Sequence, residues 1–258
     1  MIKKLTAVIL SVVLMLSCVP LVFAESEVQT VSAYEKEIGF LSKVGVLPFE
    51  FSGDAPMTRG AFAKMITDII YNEIDVSATH ESTFTDLQYG TDYYNAVAIL
   101  EGLNVVKGNG KSLFNPNGQI LLQDALVIAL RLMGYEPLIA LNGGYPSGYL
   151  YAGKLTGLTR EIGEVSALDM KTAAKLIYNM LFVSHMGIDS ITTEGVKLGV
   201  DYTKNYLSSE LNIIKHDVRL VNDGMVSFDN ISVLDGQVVL EDLSTGEYIT
   251  AKCDDPSI

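Results

Sequence analysis

Apolar positions in three separate stretches of the chain follow one helical pattern. After Thr58 and Arg59, apolar side chains fall at Phe62, Met65, Ile66, Ile69 and Ile70. A shift of 63 residues brings the same offsets onto Ala125, Ile128, Ala129, Leu132 and Met133. A shift of 111 from the first copy brings them onto Ala173, Leu176, Ile177, Met180 and Leu181. Residues spaced i, i+3, i+4, i+7 and i+8 share one side of an α-helix, so each stretch is predicted to be an amphipathic helix with a buried stripe. Recurrence at intervals of roughly 50 to 60 residues marks one structural unit used three times, and such units bury a core by packing on one another.

A shorter helix is predicted ahead of each of these, over 34–44, 93–103 and 149–156. The three end alike, at Gly45-Val46, Asn104-Val105 and Gly157-Leu158. Gly and Asn tolerate the left-handed position that closes a helix, and the aliphatic residue that follows can fold back on the last turn. Thr58 is a predicted N-cap for the long helix of the first unit. Each unit therefore reads as helix, stop, irregular loop, helix, with boundaries at 34–78, 79–137 and 138–186. Residues 25–33 read as a polar N-terminal tail, and 187–216 as a linker with a helix over 202–211.

The pattern changes after that. Val218, Leu220 and Val221 precede Asn222-Asp223-Gly224, the run 225–233 precedes Asp235-Gly236, and Val238 to Leu240 precede Ser244-Thr245-Gly246 and Tyr248-Ile249-Thr250. Short β-type runs between such turns predict a β-meander over 217–258. Three or four short strands are few for an independent core, so this segment either packs on the helices or opens a larger domain. The fold class expected is mainly α with a small β-rich C-terminal segment.

The first 24 residues have the make-up of a signal peptide: Lys3 and Lys4, an apolar stretch over 5–16, and a small-x-small site at Val22-Phe23-Ala24. The apolar stretch is short for a membrane span of roughly 20 residues. Leu16-Ser17-Cys18 also resembles a lipobox, which leaves lipoprotein processing at Cys18 as a minor alternative. No later segment is long and apolar enough to span a bilayer, and after cleavage Cys253 stands alone, so packing rather than a disulfide must stabilise the chain. The chain carries 18 Lys and Arg against 31 Asp and Glu; loss of 1–24, which holds two lysines and no acid, takes the net charge from −13 to −15. That balance argues against nucleic acid as a partner, and any acidic polymer would have to be held by a local, specific contact.

The second unit carries a family resemblance. It reads Phe84-Thr85-Asp86, then Asp92-Tyr93-Tyr94-Asn95-Ala96-Val97-Ala98-Ile99-Leu100, then Gly108-Asn109-Gly110-Lys111-Ser112-Leu113-Phe114-Asn115-Pro116. This resembles the S-layer homology repeat, outlined as F-x-D, an aromatic, A-I-x-x-L, a glycine loop, F-x-P and an I-T-R-A-E helix. The first unit supplies the last part as Met57-Thr58-Arg59-Gly60-Ala61-Phe62. The stretch 134–150 resembles the junction of repeats two and three in clostridial proteins of this kind, and Leu176-Ile177-Tyr178-Asn179 the end of repeat three. The resemblance covers about 34–183. It implies a pseudo-threefold trefoil bundle of three helix-loop-helix repeats. It also implies non-covalent anchoring of a secreted protein to the cell surface, through a pyruvylated secondary polysaccharide of the Gram-positive wall held in grooves between repeats.

A pyruvate ketal puts a carboxylate on a sugar, and the planar fork of arginine suits it. Arg59 occupies the arginine of the motif. Beside it Thr58 can cap the helix and leave N–H groups for an anion. Asp86 matches the F-x-D acid and can accept sugar hydroxyls, orient the arginine or cap a turn. Gly108 and Gly110 allow close backbone approach to a ligand or simply turn the chain. Tyr93 and Tyr94 fill the aromatic position, as a sugar platform or as packing.

The other two copies depart from this. Leu122 and Met170 stand at the arginine position, preceded by Leu121 and Asp169. At most one groove, that of Arg59, is expected to bind a ketal strongly, without the avidity of several sites. Nothing points to an enzyme, a metal or a cofactor: His80, His185 and His216 lack ligand spacing, and no nucleophile or phosphate-loop motif occurs. Two alternatives stay open beside wall anchoring. One is an envelope assembly module with degenerate glycan sites, taking a protein partner through the C-terminal β segment. The other is the anchor of a larger surface enzyme.

Overall fold

The computed structural model describes residues 33–47, 51–70, 81–91, 93–107, 112–193, 195–223, 231–234 and 236–252. By its internal contacts the chain divides into Met1–Glu35 and Lys36–Ile258; the features below belong to the second unit. The expected signal peptide, Cys18, His80, Gly108, Gly110 and Cys253 lie outside the described residues.

Among the described residues eight helices come first or interleave with strands: α1 (Glu35–Lys43), α2 (Arg59–Ile70), α3 (Tyr94–Gly102), α4 (Leu122–Leu132), α5 (Glu136–Leu141), α6 (Ser147–Leu155), α7 (Met170–Phe182) and the single turn α8 (Tyr206–Ser209). Helices α2, α4 and α7 are the three copies of the apolar pattern. Every position of the predicted stripe is buried except Leu132, which is half-buried against the core. The three short-helix stops also form as read. Gly45, Asn104 and Gly157 all have positive φ. The Val46 N–H donates to Leu41 O at 3.0 Å and the Val105 N–H to Leu100 O at 2.9 Å, closing each last turn. Val46, Val105 and Leu158 are buried beneath.

The segments entering the three long helices meet at one point. The Met57 N–H donates to Leu168 O at 3.0 Å, the Leu168 N–H to Ile120 O at 3.0 Å, and the Ile120 N–H to Met57 O at 2.9 Å. These bonds form a closed ring, and all three side chains are fully buried. One step on, Arg59 N donates to Gly118 O, Leu122 N to Ser166 O and Met170 N to Ala55 O, at 2.9, 3.0 and 2.9 Å. Offsets of 63 and 111 thus govern backbone bonding as well as side chains.

Neighbouring units exchange helices across this ring. Helix α3 of the second unit packs on α2 of the first, and α6 of the third on α4 of the second. Across the third junction Phe40 of α1 meets Tyr178 of α7 edge-on, with ring centroids 5.6 Å apart. The first short helix therefore touches the last long one.

The segment expected to be a linker contains an antiparallel hairpin, β1 (His185–Thr192) with β2 (Gly195–Asp201). Only α8 forms within the helix expected over 202–211. The hairpin is tied to the helices at its base. The Met186 N–H donates to Met133 O at 2.8 Å and the Tyr135 hydroxyl to Ser184 O at 2.8 Å, while Tyr206 and Leu207 join the core. Strands β3 (Val218–Asn222), β4 (Gln237–Asp242) and β5 (Tyr248–Lys252) form an antiparallel sheet in sequence order, as expected of three of the predicted runs; most of the run expected over 225–233 lies outside the described residues.

Candidate functional site

The site is built on Arg59, in the first turn of α2. Thr58 caps this helix, its hydroxyl accepting from the Ala61 N–H at 3.2 Å. The guanidinium crosses to the second unit. Its Nε donates to Phe114 O at 2.9 Å, its Nη1 donates to Asp124 Oδ2 at 3.0 Å, and it lies over the Phe114 ring, 4.9 Å from the centroid. The two ends of the ion pair are 21% and 28% exposed, so water still reaches it.

Asp86 fixes what Arg59 rests on. Its carboxylate accepts from the Phe114 N–H at 2.9 Å and the Asn115 N–H at 2.7 Å. Phe84 packs on Phe114, with ring centroids 5.6 Å apart, and the Gly60 N–H donates to Pro116 O at 2.9 Å. The phenylalanine, acid and proline positions of the motif thus join in one knot that presents Phe114 O to Arg59. Tyr93 packs on Gly60 so closely that a Cβ there would lie 2.9 Å from the tyrosine ring. Tyr94 pairs edge-on with Tyr89, with centroids 5.2 Å apart.

A cavity of about 750 Å³ opens beside the ion pair, between the starts of α2 and α4 and the stop that ends α3. Of the expected site residues, Arg59 lines it; Thr58, Asp86, Tyr93 and Tyr94 do not, although Asp86 bonds the lining residues Phe114 and Asn115. Four lining residues escaped the sequence reading: Lys107, Asp124, Arg131 and Tyr145. Asp124 was the most findable, because it occupies the acid slot of the I-T-R-A-E outline two residues after Leu122. Tyr145 comes from the loop before α6. Its hydroxyl donates to Asp124 Oδ1 at 3.0 Å and accepts from Gln123 Nε2 at 2.6 Å, while the side of its ring is open, the residue being 56% exposed. Burial of the hydroxyl and the Asp124 carboxylate push the phenol above its ordinary range.

Arg131 forms the far wall. Its Nε donates to Glu136 Oε1 at 2.8 Å and to the Tyr149 hydroxyl at 3.0 Å, and its Nη1 to Val105 O at 2.8 Å. Burial raises the Glu136 carboxyl, but the bond to Arg131, its charge, the Tyr149 hydroxyl and the charge of Lys107 together outweigh it and hold the group below its ordinary range. Three cations and one carboxylate therefore face this cavity in a chain of net charge −13.

The remaining chemistry is local. His185 stacks on Tyr206 with ring centroids 4.3 Å apart, and burial lowers its pKa. His216 Nδ1 meets Asp242 Oδ2 at 2.5 Å. Among the described residues no group of three or more His, Cys, Asp or Glu is placed to hold a metal ion, and no helix is long and apolar enough to cross a membrane.

Residues 83–126 match the S-layer homology domain family model. The match runs from the Phe84 knot into the first turns of α4. The chain is also 26% identical over 189 residues to a surface layer protein of Brevibacillus choshinensis, covering 69% of this chain and 16% of that one. It is 27% identical over 172 residues to a middle cell wall protein of Brevibacillus brevis, covering 62% and 16%. It is 25% identical over 166 residues to a cell surface protein of Thermoanaerobacter kivui, covering 60% and 21%. The matched part is thus about a sixth to a fifth of the length of these relatives.

Proposed function

We propose that this protein is held at the cell surface without a covalent bond, by binding an acidic, pyruvylated secondary wall polysaccharide in the cavity beside Arg59. Repeats at 34–78, 79–137 and 138–186 close as a pseudo-threefold trefoil bundle; the ring of bonds at Met57, Ile120 and Leu168 supports that arrangement. The observation that carries the glycan reading is a cation-lined cavity in a strongly acidic chain, with lining residues from all three repeats. A positive patch that survives against the overall charge is the kind of feature that selects an anionic partner. The similarity to surface layer and cell wall proteins supports the same location.

In this reading Arg59 lies at the ligand, Thr58 and Asp86 fix its surroundings, Tyr93 packs on Gly60 beside it, and Tyr94 packs on Tyr89. Gly108 and Gly110 follow Lys107 in sequence and are proposed to allow close backbone approach of the ligand. The chain acts by binding, with no catalysis, cofactor or metal. The full chain should co-sediment with native walls and not with walls stripped of their secondary polysaccharide, and Arg59→Ala should release it. Equal binding to both wall preparations would sink the reading. A second reading, an assembly module that has lost glycan binding, is favoured by one feature: the Arg59 fork already holds Asp124. Saturable binding of a pyruvylated glycan would exclude it.

A further inference from the structure

The three cations of the cavity are unequal. Arg59 is bonded to Asp124, and Arg131 to Glu136, Tyr149 and Val105 O. Lys107 follows the buried pair Val105 and Val106, is exposed, and lines the same cavity. Among the described residues it has no hydrogen bond or ion pair. Glu136 feels its charge without bonding to it.

An anion that approaches Arg59 must displace or share with Asp124, whereas among the described residues none is bonded to Lys107 to compete with one that approaches there. Displacing a partly buried partner also leaves its charge uncompensated. Resting on the wall-glycan reading, we infer that Lys107 receives the acidic group of the ligand. The Arg59–Asp124 pair then serves as a neutral polar floor for sugar hydroxyls. Loss of Arg59 alone would harm binding by baring the Asp124 carboxylate, a cause distinct from loss of an anion receptor.

The test uses the full chain and native walls that carry the secondary polysaccharide, with thermal melts to confirm folding. Lys107→Gln should weaken wall binding roughly tenfold or more, the range for one hydrogen bond to a charged group. Lys107→Arg should stay within about threefold of wild type, because the charge is kept. The double variant R59Q/D124N, which removes the ion pair as a neutral unit, should also stay within about threefold. Wild-type affinity in Lys107→Gln, or a loss in R59Q/D124N as large as in Arg59→Ala, overturns the assignment while the wall-glycan reading stands. Failure of the wild type to bind native walls overturns both.

Discussion

Helices α2 and α7 have the same backbone surroundings and different chemistry. Arg59 N and Met170 N donate to Gly118 O and Ala55 O, and Gly60 N and Lys171 N donate to Pro116 O and Gly53 O, all at 2.9 Å. Yet Arg59 crosses to Asp124, while the Met170 sulfur accepts from the Ser52 N–H at 3.4 Å. Lys64 pairs along its own helix with Asp68; its counterpart Lys175 is buried between Glu37 and Glu161. Asp68 stays near the surface, while Asn179 is buried and donates to Leu158 O and Arg160 O. The repeat is kept by the backbone ring and the apolar stripe. Each polar position is then free to serve a different task, in one copy a cavity and in another a structural clamp.

The sharpest way to break the comparison is to make the two stripes equal in volume. Phe62 and Ala173 are counterparts, both fully buried, so the first copy fills with one aromatic ring what the third fills with a methyl group and its neighbours. Phe62→Ala should cost about 3–5 kcal/mol, the usual range for an aromatic truncated in a packed core. Urea denaturation checks it. A cost under about 1 kcal/mol would mean that the core of the first copy is not set by its stripe.

The lysine counterparts should differ next most. Lys175 is 3% exposed, and its ammonium donates to Glu37 at 2.6 Å and Glu161 at 2.5 Å. Lys175→Ala leaves Glu37 without its cation and should cost about 2 kcal/mol, reduced from the fully buried case because Glu161 is largely exposed. Lys64→Ala removes an exposed i, i+4 pair and should cost no more than about 0.5 kcal/mol. The pH dependence separates them further. Burial lowers the Lys175 pKa, but the two carboxylates outweigh it and raise the group above its ordinary value. A raised folded pKa means the contribution is fully present below the unfolded value of about 10.4 and is lost as pH rises through the folded one. The gap between wild type and Lys175→Ala in denaturation midpoint should be flat from neutral pH to about 10 and shrink above it; a gap that does not shrink above a pH of about 10 would refute this.

Sequence showed the parts of this comparison that repeat and hid the parts that do not. The stripes, the left-handed stops at Gly45, Asn104 and Gly157, and the Thr58 cap are local rules, so they were readable. So were the first and last described strands of the meander. The hairpin of β1 and β2 was hidden although Val196, Leu198 and Val200 alternate with polar or small residues, because Gly187 and Gly199 weaken a strand pattern. Helix α5 is a short element whose Pro137 sits in its first turn, a position that reads equally as a loop. The cavity was least legible. Arg59, Lys107, Asp124, Arg131 and Tyr145 are spread over three units, and only packing decides that Arg59 takes Asp124 as its partner.

The smallest effect tests the helix starts themselves. Thr58 and Asp169 cap α2 and α7, the Asp169 carboxylate accepting from the Thr172 N–H at 2.8 Å. Leu121 holds the same place before α4 with extended backbone, φ −85° and ψ 151°, and offers no side-chain bond. That geometry already suits a capping hydroxyl, and Leu121 is partly exposed, so little apolar burial is given up. Leu121→Thr should therefore stabilise the chain by about 0.5–1 kcal/mol, the reverse of the loss expected for Asp169→Ala. Thermal melts of the two variants read both signs. A loss in Leu121→Thr would show that Leu121 is retained for the wall of the cavity, and that in α4 the ligand site has overridden the cap.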